Sequence, residues 1–255
     1  MNLGIRSPLR LSEMVTVMHK CILAIVAHPD DEVLGCGGTL ARLADEGWPL
    51  VAAVLSAGAT SRLPGREEER RQQAALKDAL GQAACILGVK EVRQFDFPDN
   101  AFDSVPLLEI VRVVETLVQE CCPSVVFTHH SGDLNVDHCV TARAVLTATR
   151  PQGRNPVRTV LSFEVPSSTE WSFGGVLPAF TPNVFFDVTA TLERKLAAME
   201  AYAQEGRPFP HPRSLEALRM LSGVRGSACG LQAAEAFMLV RHVVGAGVCL
   251  GNLLP

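Results

Sequence analysis

The chain has no excess of positive charge, no long apolar run and no paired-cysteine spacing. Lys and Arg number 23 against 27 Asp and Glu, a net charge of −4, which offers no electrostatic footprint for nucleic acid or an anionic membrane. A membrane-crossing helix needs about 20 uninterrupted apolar residues. The longest candidates, Cys21 to Ala27 and Val243 to Leu254, fall well short, so no bilayer span is expected. Eight cysteines form no Cys-x-x-Cys pair, and Cys121 and Cys122 are adjacent, which disfavours a zinc knuckle or a disulfide scaffold and suits buried thiols. Residues 1–20 mix Arg6, Arg10 and Glu13 with scattered apolar positions and hold no apolar core before a small-residue cleavage site. Export is therefore not expected, and a cytoplasmic location is.

What the chain has is bulk: 255 residues, 47% of them hydrophobic and 20% charged, enough for one large core. The run Cys21 to Ala27 is short, rich in strand formers and ends at His-Pro, so it reads as a strand buried on both faces. Helical spacing follows from Gly38 to Glu46, then a strand over Val51 to Leu55 and a helix from Arg66 to Leu87 closed by Gly88. The rhythm continues with strands near Val92 to Phe95 and Ser124 to Thr128, and helices over Val105 to Glu120 and Asp137 to Thr149. This alternation predicts an α/β fold, a mostly parallel sheet with helices on both faces. Beyond Arg150 the pattern is less regular, with strands at Thr159 to Glu164 and Asn183 to Val188 and two closing helices, Leu192 to Gln204 and Leu215 to Leu221. We read residues 1–20 as a loose extension, 21–242 as a single domain with an elaborated C-terminal third, and 243–255 as an apolar tail. That tail suits a packed end or a contact between copies, which keeps a homo-oligomer open.

Two clusters carry chemistry. Directly after the first strand stands Ala27-His28-Pro29-Asp30-Asp31-Glu32, followed by Gly35, Gly37 and Gly38. Directly after the strand ending near Thr128 comes His129-His130-Ser131-Gly132-Asp133-Leu134-Asn135-Val136-Asp137-His138. In an open α/β sheet both lie at strand carboxyl ends, where sites form. Two imidazoles and a carboxylate with one open position suit a catalytic zinc, and His28, Asp31 and His138 are the expected ligands. The bland alternatives are an Asp-Asp pair capping the next helix and a polar turn with a cap at Asp133 to Asp137. Gly35, Gly37 and Gly38 lack G-x-G-x-x-G spacing and read as close helix-strand packing.

These residues resemble the PIG-L/LmbE-like family of metal-dependent N-acetyl-sugar deacetylases, over about Cys21 to Arg241. The resemblance implies a Rossmann-like sheet, a metal held by His28, Asp31 and His138, and Asp30 as general base. It also implies a small N-acetylated sugar or glycoconjugate as substrate. The metal expected is a single divalent ion, zinc first and ferrous iron second. A bound cation acidifies water and polarises the amide oxygen, while Asp30 accepts the water proton and returns it to the leaving amine. Asp137, His129 and Asp133 are expected to orient the ligands.

One position departs from the family pattern. Many relatives carry His three residues before the last ligand, and here it is Asn135, which donates a hydrogen bond but transfers no proton. Asn135 keeps an oxyanion role, and the missing imidazolium is sought among His129, His130 and His211. His211 and Arg213 lie in the loop Phe209-Pro210-His211-Pro212-Arg213-Ser214, where substrate contacts are expected. Arg62, just beyond the second strand, and Asp99, in Phe97-Pro98-Asp99-Asn100 after the third, are the other substrate candidates. Trp171 reads as core rather than sugar platform, Arg66 to Arg71 as a solvated helix face, and Arg225, Gly226 and Glu235 have no assigned role. Two other classes stay open: a non-haem Fe(II) oxygenase using the same two-His, one-carboxylate set, and a sugar-binding module without activity.

Overall fold

The computed structural model describes residues 21–58, 66–153 and 155–244. The extension 1–20, Arg62 and the last residues of the apolar tail lie outside them. The sheet comprises β1 (Ile22–Val26), β2 (Leu50–Ser56), β3 (Glu91–Phe97), β4 (Val125–His129), β5 (Thr159–Phe163), β6 (Val184–Asp187) and β7 (Ala234–His242). The helices are α1 (Asp31–Asp45), α2 (Arg66–Leu87), α3 (Leu107–Cys121), α4 (Val136–Ala148), α5 (Leu192–Ala201) and α6 (Leu215–Ser227).

Strand order is β3-β2-β1-β4-β5-β7-β6. The first five strands pair in parallel, whereas β7 runs antiparallel to both β5 and β6. The chain winds outward from β1 to β3 and then returns to place β4 on the other side of β1. That reversal opens a crevice between the carboxyl ends of β1 and β4, where ligands bind in doubly wound sheets. The predicted α/β architecture is thus observed. β7 is the correction: a strand stands where the sequence pattern ended on a helix. Its burial fades from fully buried at Ala234–Phe237 to exposed at Leu239 and Val240, so no single strand period marks it.

Alternation along β1 feeds two cores. Ile22, Ala24 and Val26 face the layer containing α1, α2 and α5, whereas Leu23, Ile25 and Ala27 face α3 and α4. All are fully buried, and each large aliphatic side chain contributes about 1.5–3 kcal/mol on removal from water. Gly35 shows why the glycine cluster is needed, because a Cβ there would lie 2.2 Å from the Phe163 ring.

The helix after β1 is broken and re-capped from a distance. Cys36 leaves helical geometry at φ −147°. Glu235 of β7 accepts from Gly38 N at 2.9 Å and Thr39 N at 2.7 Å, satisfying the N-terminal donors of the second half. Lys195 of α5 donates to Leu34 O at 2.9 Å and to Glu235 at 2.6 Å, closing the first half. This buried pair explains Glu235. Arg225, likewise unassigned from sequence, pairs with both carboxylate oxygens of Glu164, and a side chain on Gly226 would strike Leu231 O at 2.7 Å.

Candidate metal centre and active site

β1 ends into Ala27 and His28, and α1 starts at once, so His28 to Glu32 sit on a single tight turn. Asp30 takes φ 99°, a region that L residues enter at a cost of order 1–3 kcal/mol. Two groups hold it there. Its N–H donates to Glu32 Oε2 at 3.1 Å, and Glu32 Oε1 accepts from Tyr202 OH at 2.6 Å. Asp30 occupies the N-cap position of α1, yet its side chain makes no capping bond. Capping therefore does not explain this aspartate, and its carboxylate is directed to the pocket.

The turn after β4 is built differently. Asn135 caps α4, its Oδ1 accepting from Asp137 N at 2.8 Å, so the cap expected of a polar turn is present. The cap commits Oδ1 and leaves Nδ2 outward, 3.2 Å from Asn100 Oδ1. Asp133 accepts from Asn135 N at 2.8 Å, from Thr169 Oγ1 at 2.5 Å and from Ser168 Oγ, and lies 3.1 Å from His138 Nδ1. His129 stacks on His138 at 4.0 Å between ring centroids, its Nε2 accepting from Ala27 N at 2.9 Å.

These turns bring the three expected ligands together. Asp31 Oδ2 lies 3.3 Å from both His28 Nδ1 and His138 Nε2, and one donor atom from each of the three residues falls within 4.8 Å of the others. Asp31 Oδ1 and His138 Nε2 are buried without a hydrogen-bond partner among the described residues. Orphaned buried polar atoms are costly, and unpartnered N and O atoms on residues whose donor atoms lie this close together fit a divalent cation. The other ring nitrogen of His28 lies 3.0 Å from Asp137 Oδ2 and 3.3 Å from Asp99 Oδ1. Asp137 thus serves His28, not the adjacent His138, and Asp133 serves His138.

The electrostatics follow the same division. Burial would raise Asp31, but the imidazoles of His138 and His129 hold it well below the carboxylate range. Burial opposes protonation of His28 and His138, yet the surrounding carboxylates lift them to about 10 and about 9, the same negative charge that a bound cation would answer. His129, desolvated and facing His138, falls to about 3 and stays neutral. Asp30 is pushed up to about 7 by burial, with the Arg213 guanidinium pulling the other way. A base in that range suits proton transfer near neutrality.

A cavity of about 490 Å³ opens over this centre, with His28, Asp30, Asp99, Asn135, His211 and Arg213 in its walls. Three of its residues, Asp30, Asn100 and Ser167, are non-glycine positions with positive φ, a clustering of backbone strain found at functional sites. His211 stands in the wall with its ring 5.8 Å from that of Trp171, edge-on. Burial and the nearby Arg213 and Arg207 lower its pKa. Trp171 itself is 40% exposed, which corrects the core reading. His130 bonds Pro178 O at 2.8 Å beside Phe180, and His129 lies fully buried behind His138. Of the three imidazoles considered for proton transfer, His211 is the one in the cavity wall. Sequence reasoning missed Tyr202 and the contact of Arg213 with Asp30, since both join segments more than 160 positions apart.

A mostly parallel sheet with two His-carboxylate turns at its switch point defines an α/β protein with a candidate metal site. Residues 23–149 match the model of the PIG-L family, described as GlcNAc-PI de-N-acetylase. The uncharacterized deacetylase YaiS of Escherichia coli K12 is 33% identical over 191 residues, covering 72% of this chain and 90% of that one. A probable N-acetyl-alpha-D-glucosaminyl L-malate deacetylase 2 of Bacillus cereus is 25% identical over 194 residues, 74% of this chain and 84% of its own. Among solved structures, the 4-carboxy-2-hydroxymuconate hydratase GalB of Pseudomonas putida KT2440 shares the fold with TM-score 0.71 at 22% identity, covering 90% of this chain and all of that one. The chain belongs to the PIG-L/LmbE-like deacetylase family.

Proposed function

We propose that this protein is a metal-dependent hydrolase that removes the acetyl group from an N-acetylated amino-sugar conjugate of the N-acetylglucosamine type, giving a free amine and acetate. The observation that carries the reading is the convergence of His28, buried Asp31 and buried His138, with one donor atom from each within 4.8 Å of the others, beside Asp30. The family to which the chain belongs supports the reaction class. A bound divalent cation would polarise the amide oxygen and acidify the attacking water. Zinc is the first choice for this donor set, and affinity order alone does not separate it from ferrous iron.

The chain's own groups do the rest. Asp30 takes the water proton on its carboxylate and holds it for the leaving nitrogen. Asn135 directs Nδ2 outward because the cap holds its Oδ1, which suits it to donate to the oxyanion. Asp99 and Asn100 offer acceptors and donors for sugar hydroxyls, and His211, an imidazole of the cavity wall outside the ligand set, shares proton delivery to the amine. We assign the protein a cytoplasmic place; no helix among the described residues is long and apolar enough to cross a membrane.

The test is acetate release from free, nucleotide-linked and lipid-linked N-acetylglucosamine, using chelator-stripped protein with and without restored zinc or Fe(II). Metal-restored release from any member supports the reading and names the substrate class. Metal bound at one per chain with no acetate from any member overturns it and turns attention to a binding module or to another water-addition reaction on this fold.

A further inference from the structure

The proposed base is gripped by a cation from the far end of the chain. Arg213 Nη1 donates to Asp30 Oδ2 at 2.8 Å while its Nε donates to Ser167 Oγ at 2.7 Å. Glu205 Oε2 stands 3.7 Å from the same Nη1, and the side chain is only 23% exposed. The anchors are unusual: Asp30 and Ser167 have φ of 99° and 70°, so two strained turns from different segments converge on one guanidinium. Ser167 is itself pinned, its N–H donating to Glu170 Oε1 at 2.6 Å. Among the described residues, Arg213 is the one Lys or Arg whose ion pair reaches the carboxylates of the metal turns.

We propose that Arg213 is a positioning residue for the base: by occupying Asp30 Oδ2 it fixes the carboxylate rotamer and leaves Oδ1 as the oxygen that takes the proton. Sequence position placed Arg213 among the substrate contacts; the geometry points to Asp30 instead. A planar guanidinium bridges two oxygens from separate loops in one fixed orientation, which a flexible ammonium does not. The inference rests on the deacetylase reading with Asp30 as base. In the step it serves, a water O–H bond breaks, the proton passes to Oδ1 and the water oxygen bonds the acetyl carbon as the carbonyl pair moves to oxygen. Collapse then breaks the C–N bond, and the nitrogen leaves with the proton that Asp30 held. No other reactant is consumed.

The experiment is steady-state acetate release by the metal-loaded full chain, comparing wild type with Arg213→Ala, Asp30→Ala, their combination and Ser167→Ala. Misplacing a reacting group by about 1 Å costs about a hundredfold, so Arg213→Ala should lower kcat by about that much, with KM and bound metal unchanged. Guanidinium added at millimolar concentration should restore part of the lost kcat by filling the vacated space. The combined variant should be no slower than Asp30→Ala, because a residue acting through Asp30 has nothing to add once Asp30 is gone. Ser167→Ala keeps the charge and removes one anchor, and should lower kcat about fivefold, the size of one lost hydrogen bond. A raised KM with unchanged kcat in Arg213→Ala would make it a substrate contact and overturn the proposal. So would a combined variant slower than Asp30→Ala, or wild-type kcat in Ser167→Ala. Full activity in Asp30→Ala is a separate failure, since it removes the reading of Asp30 as base.

Discussion

The turn after β1 and the turn after β4 deliver imidazoles to one point, but they are supported in different ways. His28 is 14% exposed and leans on Asp137 and Asp99, which come from the turns after β4 and β3. His138 is 1% exposed and rests on Asp133 from its own turn, which Ser168 and Thr169 brace from behind. The first imidazole opens on the cavity and depends on its neighbours' loops. The second is locked within the fold and depends on one carboxylate. A site built this way would hold a cation by its buried side and leave its exposed side to a ligand in the cavity.

The largest test of that contrast sets a ligand against the base. His138→Ala should lose both bound metal and turnover, whereas Asp30→Ala should keep one metal per chain and lose about 10²–10⁴ in kcat; metal content and acetate release decide it. Next is the re-capped helix that presents Asp31. Glu235→Ala leaves Lys195 buried without its counter-charge, and breaking such a pair costs about 3–5 kcal/mol, read as a lowered denaturant midpoint. A wild-type midpoint would mean that the two halves of α1 do not need the pair.

The contrast between the imidazoles is sharpened by their carboxylates. Asp133→Asn should weaken metal binding about ten- to a hundredfold, whereas Asp137→Asn should weaken it less, because Asp99 also faces the same His28 nitrogen. Competition with a metal indicator measures both, and equal losses would break the distinction. The smallest effect is expected at the cavity wall. His211→Ala should lower turnover by about tenfold, below the full range for a general acid, since Asp30 also returns the proton, and bound metal should not change.

Much of this was legible in the chain because parallel strands and their turns are local. A buried strand ending at His28-Pro29-Asp30-Asp31 announces both its burial and its cargo within ten residues, and Asp133 to His138 does the same after β4. The gathering of His28, Asp31 and His138 follows from such runs. β7 was not legible, because its nine residues pass from a buried core to an exposed edge and match no single period. Nor were the roles of Glu235, Lys195 and Tyr202. Each is an isolated polar residue whose partner lies 40 to 197 positions away.

The sequence by itself determined the layered α/β plan and which side chains gather at the switch point, because strand burial and the residues beside strand ends are written in consecutive positions. Only the tertiary structure decided which carboxylate serves which imidazole, what holds Asp30 in its left-handed turn, and that Arg213 grips Asp30. Those choices are bonds between distant segments, made when the switch point, the broken α1 and the C-terminal loops close on one another. Their energies come from burying polar groups that must then find partners, and no local pattern names the partner.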